Sequence, residues 1–96
     1  MTSKQRAYLK SLANDITPVL QIGKSGVTPE MTEAVREAFH NRELIKINVL
    51  KNCFDDPRDI AETIAARTHA QVVSVIGKKI TLYKQDPKNP KIVLPH

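Results

Sequence analysis

Gly23-Lys24-Ser25-Gly26 is the run in this chain whose residue types and spacing suit a particular chemistry. A G-x-x-G tetrapeptide lets backbone come close to a phosphate, because neither glycine carries a Cβ to obstruct the approach or forbid positive φ. Lys24 adds a cation inside the same loop. The apolar Val19-Leu20-Gln21-Ile22 before it and Thr28-Pro29 after it set the loop between a strand and a helix start. The ligand this suits is a nucleic-acid backbone. Two glycines in a strand-to-helix turn can also serve turn geometry alone, and the tetrapeptide by itself leaves both readings open.

Other chemistries fare less well. Gly-Lys-Ser occurs in the phosphate loops of nucleotide hydrolases, but such a loop needs a further glycine five residues before Gly-Lys, where this chain has Pro18. The downstream strand acid of those enzymes is also missing, so nucleotide hydrolysis is rejected. His40, His69 and Cys53 lack ligand-spaced partners, which predicts no metal and no cofactor. Asp55, Asp56 and Asp59 are explained by capping a helix. No Ser/His/Asp or Cys/His grouping stands out, and the expectation is a protein that is not an enzyme.

Tyr8 and Tyr83 are the aromatic residues offered to a base, although a packed strand position suits Tyr83 at least as well, and Phe39 is assigned to a core stripe. That is too few for a sheet that stacks two or three bases. Glu30 and Glu33 oppose an anion on the N-terminus of the helix after the glycine loop. Loop amides and Lys24 would therefore do most of the holding.

The net charge of +5 is unevenly spread. Lys4, Arg6, Lys10 and Lys24 against Asp15 make the first 27 residues basic. Lys78, Lys79, Lys84, Lys88 and Lys91 against Asp86 do the same for the last 27, while 28–43 and 55–69 are acidic. Such asymmetry suits a polyanion partner, although ordinary solubility charge accounts for it equally well. Ninety-six residues make one domain over 1–85, with a proline-containing tail over 86–96. A lone cysteine, no long apolar run and no signal-peptide stretch lead to the expectation of a soluble, cytoplasmic protein.

The elements that must position the loop follow from periodicity. Residues 2–13 read as a helix with Tyr8, Leu9, Leu12 and Ala13 on one side. The strand at 19–22 leads through the loop to a helix capped by Thr28, whose Met31, Ala34, Val35, Ala38 and Phe39 form one apolar stripe. Leu44–Leu50 is a second strand, Asp56-Pro57 opens a third helix, and 71–76 with 79–84 form a hairpin through Gly77-Lys78. The order α-β-α-β-α-β-β predicts an α/β (α+β) two-layer fold with a mixed four-stranded sheet. The second and third helices should share one face. Gln21, Lys46, Asn48, Ser74 and Thr81 interrupt the strands' apolar runs, so the other face is expected to be at least partly open. The tail has no period of its own.

Pro18 to Thr28, Glu43 to Ile47, Gln71 to Lys78, Leu82-Tyr83 and the ending Lys91 to Pro95 together carry a resemblance to the CRM domain (chloroplast RNA splicing and ribosome maturation), and more closely to its stand-alone bacterial YhbY-type form. The resemblance spans nearly the whole chain. It implies a fold like the C-terminal domain of translation initiation factor three, RNA binding, and association with precursors of the large ribosomal subunit. It places the family's G-x-x-G loop on Gly23, Lys24, Ser25 and Gly26. A departure is His69, where members often have a helix-ending glycine; histidine tolerates the left-handed conformation better than most residues. The resulting RNA-contacting set is Gly23 to Gly26 with Lys4, Arg6, Lys10, Lys46, Lys78, Lys79 and Lys84. A DNA-binding architectural protein and a protein–protein adaptor using the open sheet face are the alternatives.

Overall fold

The computed structural model describes residues 1–96. Helix α1 (Ser3–Ala13) opens with a capping box: Thr2 Oγ1 accepts from the Gln5 N–H, and the Gln5 side chain accepts from the Thr2 N–H. Strand β1 (Leu20–Ile22) follows, then α2 (Pro29–Ala38), whose Thr28 cap accepts from the Met31 N–H at 3.0 Å. Strand β2 (Leu44–Val49) leads to α3 (Pro57–Thr68), where Asp56 accepts from the Arg58 N–H. Both helices begin with proline at their first position, where its missing N–H costs nothing.

Strands β3 (Gln71–Ile76) and β4 (Lys79–Tyr83) complete one sheet in the order β1-β2-β4-β3. β1 and β2 are parallel, and β4 is antiparallel to both of its neighbours. The final hairpin thus slots its return strand between β2 and β3, so the crossover through α3 skips one position. The expected mixed four-stranded sheet is present, with α2 and α3 packed together on one face.

That face holds the larger core. Ile22, Ile45, Ile47, Val49, Ile80 and Leu82 from the strands meet Val35, Phe39, Ile60, Ala61 and Ile64 from the helices. On the second face α1 and the tail supply a smaller core, in which Leu9 and Ala13 pack with Leu44, Val73 and Tyr83, flanked by Leu12, Ile16, Ile92 and Leu94. The apolar side of α1 needs a partner, and the second face of the sheet provides one. Part of that face is therefore covered. The remainder, around Lys46, Ser74, Ile76 and Lys79, stays open, as the polar interruptions predict.

A β-bulge at Val72/Ser74 adjusts β3 to both cores. Without the extra residue, strict alternation would turn Ser74 toward the larger core. With it, Val75 faces the larger core, while Ser74 pairs with Thr81 on the open side.

Glu43 anchors the tail. It is only 3% exposed, and its carboxylate accepts from the Asp86 N–H at 2.7 Å and from the Lys91 and Ile92 N–H groups at 2.6 Å each. Burial raises its pKa, but the three N–H donors outweigh that and leave it below the ordinary 4.5. Burial, with a smaller push from the Glu43 charge, raises the pKa of the nearby Tyr83 hydroxyl. Gln5 adds a further tie to the tail by donating to the Pro95 carbonyl at 3.1 Å.

Candidate nucleic-acid interface

The sheet register gathers three loops at one end. Parallel pairing of Ile22 with Val49 brings the glycine loop beside the loop that follows β2, and the Leu50 N–H donates to the Ile22 carbonyl at 2.8 Å. Antiparallel pairing of Asn48 with Lys79 brings the β3–β4 turn to the same end, where the Val49 N–H donates to the Lys78 carbonyl at 2.7 Å. Residues 23–26, 50–56 and 77–78 thus share the end at which β1, β2 and β3 finish. In open sheets with crossover helices, this is the end where ligands bind.

Within the glycine loop the two glycines have different jobs. Gly26 is buried at φ +64°, and its N–H donates to the Gly23 carbonyl at 3.0 Å, closing a tight turn. A Cβ built on Gly26 would lie 2.6 Å from Asp55 Oδ2, so this position excludes a side chain on two counts. Gly23 has ordinary φ, and a Cβ there would meet Asn52 and Leu50 no closer than 3.5 Å. The expectation that the amides of residues 23–26 hold a phosphate is thereby narrowed at one of the four. The Gly26 amide is spent inside the turn. The Lys24 and Ser25 amides donate to no protein acceptor, and both residues are exposed.

The cations divide into groups. Lys24 stands on the loop itself, with Lys78 exposed on the neighbouring turn and Lys79 exposed at the start of β4. Lys79, Lys46 and Lys10 line a recess of about 130 Å³ with Asn14, Ser74, Ile76 and Thr81 on the open part of the second face. Arg6 and Lys10 of α1 face Arg58 of α3 across a groove of about 790 Å³ along the outer edge of β3. Lys4 is exposed on the first turn of α1, whose neighbours Met1 and Gln5 line a cleft with Tyr83, Lys84 and Leu94.

Lys84 is not part of the loop end. Its N–H donates to the Glu43 carbonyl at the opposite end of β4, as the antiparallel pairing of Tyr83 with Leu44 requires. Tyr83 is also withdrawn as a stacking candidate, being 4% exposed within the smaller core. Arg36 is occupied by an ion pair with Glu33 and by donation to the Arg67 carbonyl.

Two residues at the loop end escaped the sequence reading. Lys51 is exposed two residues after β2, in the loop that parallel pairing sets beside the glycines. Phe54 is 91% exposed in that same loop, whose Leu50, Asn52 and Asp55 side chains reach the glycine loop. An apolar residue inside Lys51-Asn52-Cys53-Phe54-Asp55-Asp56 belongs to no helical or strand stripe, and that lack of periodicity was the available signal.

Comparison with known proteins bears on the whole chain. Residues 1–84 match the model of the CRS1 / YhbY (CRM) domain. The chain is 43% identical over 95 residues to the "Probable RNA-binding protein YqeI" of Bacillus subtilis, covering 99% of each chain. It is 32% identical over 95 residues to a Haemophilus influenzae protein named "RNA-binding protein", covering 99% of this chain and 95% of that one. A solution structure of a Staphylococcus aureus protein superposes with a TM-score of 0.84 at 44% identity, covering 99% of both chains. No helix is long and apolar enough to cross a membrane.

Proposed function

Because this chain belongs to the CRS1 / YhbY (CRM) domain family, several of whose members carry RNA-binding names, we propose that it is a cytoplasmic, non-enzymatic RNA-binding protein that joins precursors of the large ribosomal subunit and assists their assembly. The observation that carries the RNA reading is the pair of unpartnered amides at Lys24 and Ser25, held in a turn locked by Gly26 and flanked by the Lys24 ammonium. Two N–H donors and a cation on one short loop match the oxygens of a backbone phosphate.

The neighbouring cations extend this contact. Lys78 and Lys79 border the loop end, and Lys79, Lys46 and Lys10 continue the basic surface across the open sheet face toward Arg6. Phosphate contacts hold and orient an RNA without reading its sequence. Glu30 in the first turn of α2 weakens the contribution of that helix dipole, and Asp55 beside Gly26 opposes an anion at the loop, so the Lys24 ammonium carries the attraction there.

Sedimentation of cell extracts tests the assembly role. The protein is expected to travel with large-subunit precursors and to leave them as salt is raised. Migration with mature ribosomes, or with no ribosomal particle, would contradict that role. Competition between matched RNA and DNA strands tests the ligand, since the 2′-hydroxyl separates the two. Equal competition would favour a DNA-binding architectural protein, and a salt-insensitive protein partner would favour an adaptor.

A further inference from the structure

We propose that Phe54 is a base-stacking residue, so that the loop end takes single-stranded RNA in preference to duplex; this rests on the RNA-binding reading above. Phe54 is 91% exposed, the most exposed large apolar side chain at that end of the sheet. An aromatic ring left in water forgoes the gain of burial. Here the backbone holds it there from both sides. Cys53 before it is 5% exposed within the larger core, and its N–H donates to the Leu50 carbonyl at 3.1 Å. Asp56 after it caps α3 through the Arg58 N–H at 2.9 Å. The ring is presented from a pinned loop.

Its position relative to the phosphate site is what gives it a use. Asn52 and Asp55, on either side of it in sequence, reach Gly23 and Gly26 with their side chains, as Leu50 earlier in the loop also reaches Gly23. A strand whose phosphate sits on the Lys24 and Ser25 amides thus runs beside the loop that carries Phe54, and the proposal seats its adjoining base on that ring. Every base offers a π-face, so stacking adds affinity with little sequence preference. In a duplex those faces are already covered by neighbouring bases. The ring thus discriminates by strandedness, which a loop that holds phosphate alone does not.

The test uses the full chain with a labelled single-stranded RNA of mixed sequence and with the same strand annealed to its complement. Phe54→Ala should weaken single-strand binding by about 5- to 150-fold, the usual range for losing one stacked base. It should leave duplex binding and the melting temperature unchanged. The chain contains no tryptophan, so Phe54→Trp provides both a rescue and a reporter. That variant should bind the single strand as wild type does, and its indole fluorescence should be quenched at saturation. Unchanged single-strand affinity in Phe54→Ala, an equal loss for duplex, or unquenched indole fluorescence in Phe54→Trp at saturation would each overturn the proposal. Wild-type protein that binds neither RNA would remove the RNA-binding reading itself. RNA binding that weakens in Lys24→Ala but not in Phe54→Ala would remove only the stacking role.

Discussion

Asp55 Oδ2 lies 2.6 Å from the point where a Cβ on Gly26 would stand, so the acid after Phe54 occupies the space that the second glycine leaves empty. This contact ties the two loops at the end of the sheet into one unit. It also separates the roles of the two glycines, since Gly23 faces its neighbours at ordinary contact distance. Gly26 shapes the site, and the residues between the glycines are free to bind.

Substitution at the two glycines should therefore diverge. Gly26→Ala forces a Cβ into left-handed backbone and against Asp55, and should destabilise the fold by about 1–3 kcal/mol in chemical denaturation. Gly23→Ala should change stability by less than about 1 kcal/mol. A stability loss at Gly23 equal to that at Gly26 would refute the division.

The lysines should divide by position. Lys78→Ala with Lys79→Ala should weaken RNA binding several-fold at moderate salt, because both sit beside the loop end. Lys84→Ala should have little effect, since its strand position lies at the far end of β4. Binding measured for each variant decides the matter; equal losses would mean that RNA follows the whole sheet rather than one end.

Much of this arrangement was legible in the sequence. Stripe periodicity and the caps at Thr28 and Asp56 define the helices, and the mixed sheet follows from two crossovers and a hairpin. The glycine loop was legible because its spacing is local. The location of Lys84, and the choice between a base contact and a packed position for Tyr83, were not legible, for the opposite reason. Their surroundings depend on the pairing of β4 with β2 and on a tail that carries no period of its own. Glu43 likewise has no local mark, because its donors lie more than forty residues away.

Glu43 predicts an acid-sensitive tail. Its folded pKa is depressed, so its contribution to stability is fully present above the unfolded value near 4.5 and is lost as pH falls through the folded value. Protease cleavage within 86–96 should accelerate as pH drops below about 4.5. Glu43→Ala, which orphans three N–H groups, should do the same at neutral pH and cost roughly 2–3 kcal/mol. A tail equally protected in that variant would show that Ile92 and Leu94 hold it unaided.

His69 ends α3 at φ +58°, with the Ala70 N–H donating to the Ala65 carbonyl at 2.9 Å. Left-handed backbone is strained for a residue with a Cβ, so His69→Gly should stabilise the protein by about 0.5–1 kcal/mol despite the looser unfolded chain. A lower denaturation midpoint in that variant would show that the imidazole makes a compensating contact.

The salt dependence of single-strand RNA binding by Lys24→Ala tests the central claim most directly. Neutralising one phosphate contributes about 0.7 to the slope of log K against log salt for a single strand. Lys24→Ala should lose affinity several-fold at moderate salt, show a slope shallower by about that amount, and keep the wild-type melting temperature. Unchanged affinity and slope in a folded variant would contradict the glycine loop as the RNA contact.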